Sequence, residues 1–268
     1  MKVVIVGGVA GGATAAARIR RLDEQAEIIV FERSGYVSYA NCGLPYYIGG
    51  VIGDPEELTL QTPESFWERF RIKVKTRHEV TAIHPETKKV TVYDMDGGQV
   101  FEESYDKLIL SPGARPIIPD LPGVDSDRLF SLRTVEDTFR IRQYVEEGKP
   151  GSAVVVGGGF IGLEVAENLC DMGVKVTIVQ RPKQLLNILD YDMAALVHAK
   201  LRSKGIELKL GGDVIGFETV NDEIKVMLKD DQPLTADMVL LAIGVVPESS
   251  LAKESGLELG IKGAIIVN

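Results

Sequence analysis

The chain opens on a run of apolar residues that does not alternate. Residues 2–6, KVVIV, are β-branched and continuous, the pattern of a parallel strand covered on both faces. GGVAGG follows at 7–12, then the alanine-rich ATAAARIRRL at 13–22, then a second apolar run, EIIVFE, at 27–32. Strand, glycine turn, helix and strand within about 30 residues make a βαβ unit. Residues 153–181, AVVVGGGFIGLEVAENLCDMGVKVTIVQR, repeat that order. Each unit is followed by short alternating segments around Asp, Gly and Asn turns, which predict antiparallel hairpins. Each hairpin region ends in an apolar strand running into a glycine, Gly113 or Gly244.

This internal duplication is too long for a solenoid. It predicts an α/β fold of two tandem Rossmann-like dinucleotide-binding domains, each with an antiparallel β insertion. The expected boundaries are 1–114 for the first domain, 115–150 for a proline-rich linker and crossover, 151–240 for the second, and 241–268 for a return strand toward the first.

Composition narrows the function classes. The 268 residues are 45% hydrophobic and 26% charged, with net charge −9. That balance favours neither nucleic acid nor an anionic membrane. Two cysteines, Cys42 and Cys170, supply no disulfide framework and no metal cluster. The N-terminal apolar run is too short for a signal peptide, and no apolar stretch approaches 18 residues. The expected location is the cytoplasm.

The glycine turns carry the first chemistry. A glycine loop opening a helix aims backbone N–H groups and the helix dipole at a pyrophosphate. The second loop holds the full fingerprint, Gly157, Gly159 and Gly162. The first holds Gly7 and Gly12 with Val9 between them, and Gly8 and Gly11 keep the turn tight. Glu32 closes the second strand 20 residues after Gly12, where a carboxylate accepts from a ribose diol. The matching place in the repeat reads Gln180, Arg181. Arg181 is either a partner for a 2′-phosphate or a solvated surface residue. Two modules with different strand ends imply two dinucleotides: FAD in the first, NADPH or NADH in the second, with hydride passing from nicotinamide to flavin.

Four stretches together, VVIVGGVAGGATAAARIRRL, FERSGYVSYANCGLPYYIGG, YDKLILSPGARP and VVVGGGFIGLEVAENL, resemble the flavin-dependent pyridine nucleotide-disulfide oxidoreductases. SYANCGLPYYIGG is the most specific of them, and it resembles the single-cysteine branch, the coenzyme A-disulfide reductases and NAD(P)H-dependent CoA-persulfide or polysulfide reductases. The residues five away from Cys42 are Val37 and Tyr47, so the two-cysteine disulfide of the glutathione-reductase-like branch has no counterpart. The resemblance implies that Cys42 cycles between thiolate and mixed disulfide with CoA. That chemistry needs a reactive, accessible thiolate. The structural alternative is a small buried hydrophobe. Cys170 reads as core or helix surface. Ala10 stands where the NADH-peroxidase branch has a histidine.

The resemblance further implies CoA contacts at Thr14, Arg18, Arg21, Ser38 and Asn41, and at Arg71 beside Phe70. Arg18 and Arg21 share a helix face, either as a phosphate clamp or as a solvated basic surface. It implies FAD contacts at Gly7, Gly8, Gly11, Gly12, Glu32, Arg33, Val80, Ser111, Gly113 and Arg133. Nicotinamide-nucleotide contacts are implied at Gly157, Gly159, Ile161, Gly162, Gln180, Arg181 and Gly244. Glu164 falls near nicotinamide and flavin, or simply stabilises the first turn of its helix. Family members continue beyond the place of Asn268 into a dimerisation domain, so the chain is expected to be part of a longer, homodimeric protein. A water-forming NADH oxidase working through a cysteine sulfenic acid, and a non-catalytic nucleotide-binding fragment, are the alternative functions.

Overall fold

The computed structural model describes residues 1–267; Asn268, the last residue of the expected return segment, lies outside the described residues. The chain divides into two units, 1–40 with 56–115 and 246–268, and 41–55 with 116–245.

The first unit is built on β1 (Lys2–Val6), α1 (Ala10–Leu22) and β2 (Glu27–Glu32). With β3 (Lys73–Thr76) and β7 (Lys107–Leu110) the strands form a four-stranded parallel sheet in the order β3-β2-β1-β7. The unbroken apolar run of β1 is explained by its two covered faces. Val3 and Ile5 pack with Ala16 of α1 and with Phe66 of α3 (Pro63–Phe70). Val4 and Val6 pack with Val80, Ile83, Val90 and Val92, which belong to the antiparallel meander β4 (His78–His84), β5 (Lys89–Asp94) and β6 (Gln99–Ser104). Each such aliphatic side chain contributes roughly 1.5–3 kcal/mol on burial. Helix α7 (Ser250–Glu254) adds Leu251 to the meander side.

The second unit repeats the plan. β10 (Ser152–Val156), α5 (Phe160–Asp171), β11 (Lys175–Gln180), α6 (Tyr191–Ser203), β12 (Glu207–Leu210) and β16 (Met238–Leu241) match the first unit element for element. Its sheet is parallel, in the order β12-β11-β10-β16-β9, with β9 spanning Leu129–Ser131. The meander is β13 (Val214–Val220), β14 (Glu223–Leu228) and β15 (Leu234–Ala236), and Val154 and Val156 pack on its Phe217, Ile224 and Val226.

The divisions differ from the expected ones in two places. Residues 115–150 are more than a linker: β9 is the edge strand of the second sheet, and α4 (Val135–Gly148) carries a full Thr134–Asp137 capping box. Pro116, Pro119 and Pro122 mark the approach to β9. Residues 41–55, expected with the first domain, pack in the second unit, where α2 (Leu44–Ile48) lies on α4 and α5. Short strands β8 (Ala114–Pro116) and β17 (Val245–Pro247) carry the chain across the boundaries.

Candidate active site

Each glycine turn is held open by the same device. In the first unit Gly7 has φ +93° and Gly12 meets the Gly7 carbonyl so closely that a Cβ would collide with it. Only glycine satisfies both demands. Gly8 N–H donates to the buried Glu32 carboxylate at 2.7 Å, and Ser34 N–H takes the other oxygen at 2.9 Å. Gly11 approaches the Ser111 hydroxyl. In the second unit Gly157 has φ +114°, and a Cβ on Gly162 would strike the Gly157 carbonyl. Gly158 N–H donates to Gln180 Oε1 at 2.9 Å. Gln180 thus performs the loop-holding work of Glu32 without its charge, a role sequence spacing does not reveal.

The helices these turns open are fitted to an anion. Neither α1 nor α5 has a side-chain N-cap or an acidic residue in its first turn, whereas α3 and α4 both carry capping boxes. Their first N–H groups carry no side-chain cap, as at a helix N-terminus that can receive an anion. Gly159, at the N-cap of α5, is exposed, with open space where its Cβ would point. These residues fit the pyrophosphate of a dinucleotide.

A cavity of about 460 Å³ adjoins the first turn. It gathers Gly7, Glu32, Arg33 and Val80 from the expected FAD set, and adds His78, Glu79 and Glu248. Arg33 is exposed and lies 3.6 Å from Glu248 and 3.9 Å from Glu79. Gly113 is exposed outside the lining, and its carbonyl accepts from Glu248 N–H. Arg133 belongs to the second unit, where its backbone joins the α4 cap and its guanidinium reaches Asn41 Oδ1 at 3.4 Å.

A second cavity, of about 630 Å³, adjoins the second turn. Gly157, Gly159, Gln180, Arg181 and Gly244 line it, with Phe160, Asn187 and Ile188 as residues the motif reading missed. Ile161 is exposed on the first turn of α5, and Gly162 is buried beneath it. Glu164 is half-buried; desolvation, and then the charge of Glu167, push its carboxyl above the usual carboxylate range.

Cys42 is exposed, in a single 3-10 turn over Asn41–Gly43 ahead of α2. The segment it begins is anchored within the second unit. Arg142 of α4 donates to the carbonyls of Tyr47 and Ile52 at 2.9 and 3.3 Å and lies 4.3 Å from the Tyr47 ring centre. Gly49 abuts buried Asn168 of α5, whose side-chain amide donates to the Glu164 carbonyl. Cys170, by contrast, is half-buried on α5 and directs its thiol at the Lys204 carbonyl.

The expected CoA residues of the first unit lie mostly on its helical side. Thr14, Arg18 and Arg21 are exposed at helical spacing on α1. Arg20, which the motif reading passed over, donates to the carbonyls of Phe70 and Arg71 at 2.7 and 3.0 Å. It thereby ties the end of α1 to the end of α3. Arg71 has left-handed φ +52°, and its guanidinium lies 5.4 Å from the Trp67 ring centre. Ser38, φ +47°, donates its N–H to the Gly8 carbonyl.

No helix among the described residues is long and apolar enough to cross a membrane, and no group of three metal-ligating side chains occurs among them.

The coenzyme A disulfide reductase of Staphylococcus haemolyticus is 40% identical over 267 residues, which is all of this chain and 59% of that protein. The structure is similar to the crystal structure of reduced Bacillus anthracis CoADR-RHD, with a TM-score of 0.95 and 48% identity, covering 98% of this chain and 47% of that one. A NAD-dependent persulfide reductase from A. fulgidus also superposes with a TM-score of 0.95, at 36% identity, over 100% of this chain and 50% of its own. The chain therefore spans little more than half the length of the curated relatives it matches. Two glycine turns on duplicated parallel sheets, with an exposed cysteine after the first, agree with a family model that matches residues 1–268: the chain belongs to the pyridine nucleotide-disulphide oxidoreductase family.

Proposed function

We propose that this chain is the dinucleotide-binding part of an FAD-dependent NAD(P)H oxidoreductase that reduces coenzyme A disulfide, or a CoA persulfide or polysulfide, through Cys42. The observation that carries the reading is the exposed Cys42, in a turn just ahead of a helix that α4 and α5 hold in place, in a chain whose two glycine turns are both shaped for a pyrophosphate. The likeness to coenzyme A disulfide reductases over the whole chain supports it.

In this reading the first turn, with Glu32, Arg33 and Val80, holds FAD, and the second, with Gln180, Arg181 and Gly244, holds NADPH or NADH. Bound FAD supplies two electrons drawn from the nicotinamide. The Cys42 thiolate attacks one sulfur of the CoA disulfide, the S–S bond breaks, and one CoA thiolate leaves. Two electrons then cleave the Cys42–CoA mixed disulfide and return the Cys42 thiolate and a second CoA. Arg18, Arg21 and Arg71 offer charge to the phosphates of CoA. The full-length protein is a homodimer and works in the cytoplasm.

The test is Cys42→Ser in the full-length flavoprotein. Bleaching of the flavin by NADPH or NADH should persist, while CoA-disulfide turnover disappears. Turnover equal to wild type would overturn the role of Cys42. Oxygen consumption faster than CoA-disulfide turnover in the wild type would overturn the substrate in favour of an oxidase.

A further inference from the structure

One wall of the second cavity is a loop between β11 and α6, and this loop is hydrogen-bonded to a residue that does not line the cavity. Arg181, Asn187 and Ile188 of this loop line the nucleotide side. Behind them Leu185 is fully buried, and its side chain fills the space a Cβ on Gly158 would need. Leu186 adopts left-handed φ +48° and donates its N–H to the Gly158 carbonyl at 2.9 Å. A leucine in that backbone region is unfavourable and persists only where its surroundings hold it.

The first unit closes its glycine turn in the same way. Six residues after Glu32, Ser38 has φ +47° and donates to the Gly8 carbonyl at 3.0 Å. Leu186 stands six residues after Gln180. The preceding Val37, 1% exposed, presses on Gly8 as Leu185 presses on Gly158.

In the second unit the closure has an added anchor. Leu185 N–H donates to His198 Nε2 at 3.1 Å. His198 comes from α6, is 4% exposed, and is absent from the cavity lining. Accepting at Nε2 requires a neutral ring with its proton on Nδ1. Burial, and then the charge of Arg202, lower its pKa and favour that form.

We propose that His198 is a positioning residue for the nicotinamide-nucleotide site. By accepting from Leu185 N–H it fixes Leu185 and Leu186 against Gly158, and so sets the wall and the glycine turn that receive the nucleotide. The inference rests on the reading of the second module as the nicotinamide-nucleotide site.

The experiment uses the full-length FAD-loaded protein with two variants. His198→Gln places an acceptor oxygen where Nε2 lies; His198→Phe keeps a ring and removes the acceptor. The Kd for NADPH and NADH is measured by calorimetry, flavin reduction by stopped flow, and flavin content and unfolding temperature as controls. His198→Phe should weaken nucleotide binding about five- to tenfold, the scale of one lost buried acceptor. Its flavin-reduction rate at saturating nucleotide and its flavin content should match wild type. His198→Gln should bind within about twofold of wild type, since it retains the acceptor. Equal affinity of all three proteins, or equal weakening of both variants, overturns the inference. A wild type that binds no nicotinamide nucleotide overturns the underlying reading instead. Should His198→Phe not fold, hydrogen exchange in wild type and His198→Gln decides. Nucleotide must slow exchange at the Leu185 and Leu186 amides, and unchanged exchange there overturns the proposal.

Discussion

The Glu32 carboxylate accepts a 2.7 Å hydrogen bond from Gly8 N–H, joining the end of the second strand to the glycine turn that follows the first. Its other oxygen accepts from Ser34 N–H, so one buried side chain satisfies two backbone donors. Glu32→Leu strands both donors. The buried Gly8 N–H, left unpaired, costs about 1–3 kcal/mol and the half-buried Ser34 N–H less, so thermal unfolding should show a clear loss of stability. Glu32→Gln keeps one acceptor oxygen and should fall between wild type and Glu32→Leu. Flavin content of the purified variants should follow the same order, because the turn they loosen is the one proposed to receive FAD.

The glycines of the second turn separate folding from binding. Gly157 has φ +114°, and a Cβ there would collide with the Ala242 carbonyl. Gly157→Ala should therefore destabilise the protein by a few kcal/mol in chemical denaturation. Gly159 has φ −86° and nothing within 4 Å of its missing Cβ. Gly159→Ala should leave the unfolding midpoint unchanged. Its methyl group occupies the approach to the α5 N-terminus, so the Kd for a nicotinamide nucleotide should rise about tenfold, equivalent to ~1.4 kcal/mol. Unchanged affinity would mean that the pyrophosphate does not approach over Gly159.

Most of the fold was legible because both βαβ units carry local signals: β-branched runs, glycine turns and alanine- or leucine-rich helices. The duplication also announced itself, since Gly7–Gly12 and Gly157–Gly162 sit at matching places. The affiliation of residues 41–55 was not legible. Chain order puts them with the first unit, while α2 is claimed by long-range packing on α4 and α5, with Arg142 and Asn168 as its anchors. The role of Gln180 was hidden for a related reason. Motif reading treats the end of β11 as a ribose contact, whereas the side chain turns back on Gly158. His198 carried no motif signal, because its contact with Leu185 exists only once α6 and the preceding loop have packed.

Glu164 gives a pH-dependent prediction with a defined sign. Burial, and then Glu167, raise its folded pKa above the ordinary 4.5. A raised carboxylate pKa means that the folded state prefers the protonated form, a preference fully present below about 4.5 and lost as pH rises through the folded value. At pH 7 the ionised, partly desolvated carboxylate therefore weighs against the fold. Glu164→Gln removes that charge and should raise the unfolding temperature at pH 7. The gain should shrink on acidification and vanish below about pH 4.5. A gain that does not vary with pH would assign the effect to packing.

The nucleotide preference is tested at Arg181. The end of β11 bears no carboxylate to repel a 2′-phosphate, and the Gln180 side chain is spent, its oxygen on Gly158 N–H and its nitrogen on the Gln184 carbonyl. If this cavity holds the nicotinamide nucleotide as proposed, the exposed guanidinium of Arg181 on its wall is the group that would distinguish NADPH from NADH. A charge-assisted contact of this kind is worth about 1.5–3 kcal/mol before solvent screening, which reduces it at an exposed site. Arg181→Ala should weaken NADPH roughly tenfold and change NADH by less than about twofold. The NADPH affinity of wild type should fall between 50 and 300 mM salt, on the order of the Debye screening of one ion pair, and that slope should flatten in the variant. Equal loss for both nucleotides would assign Arg181 to the pyrophosphate or to the loop itself. No loss for either would leave it a solvated surface residue.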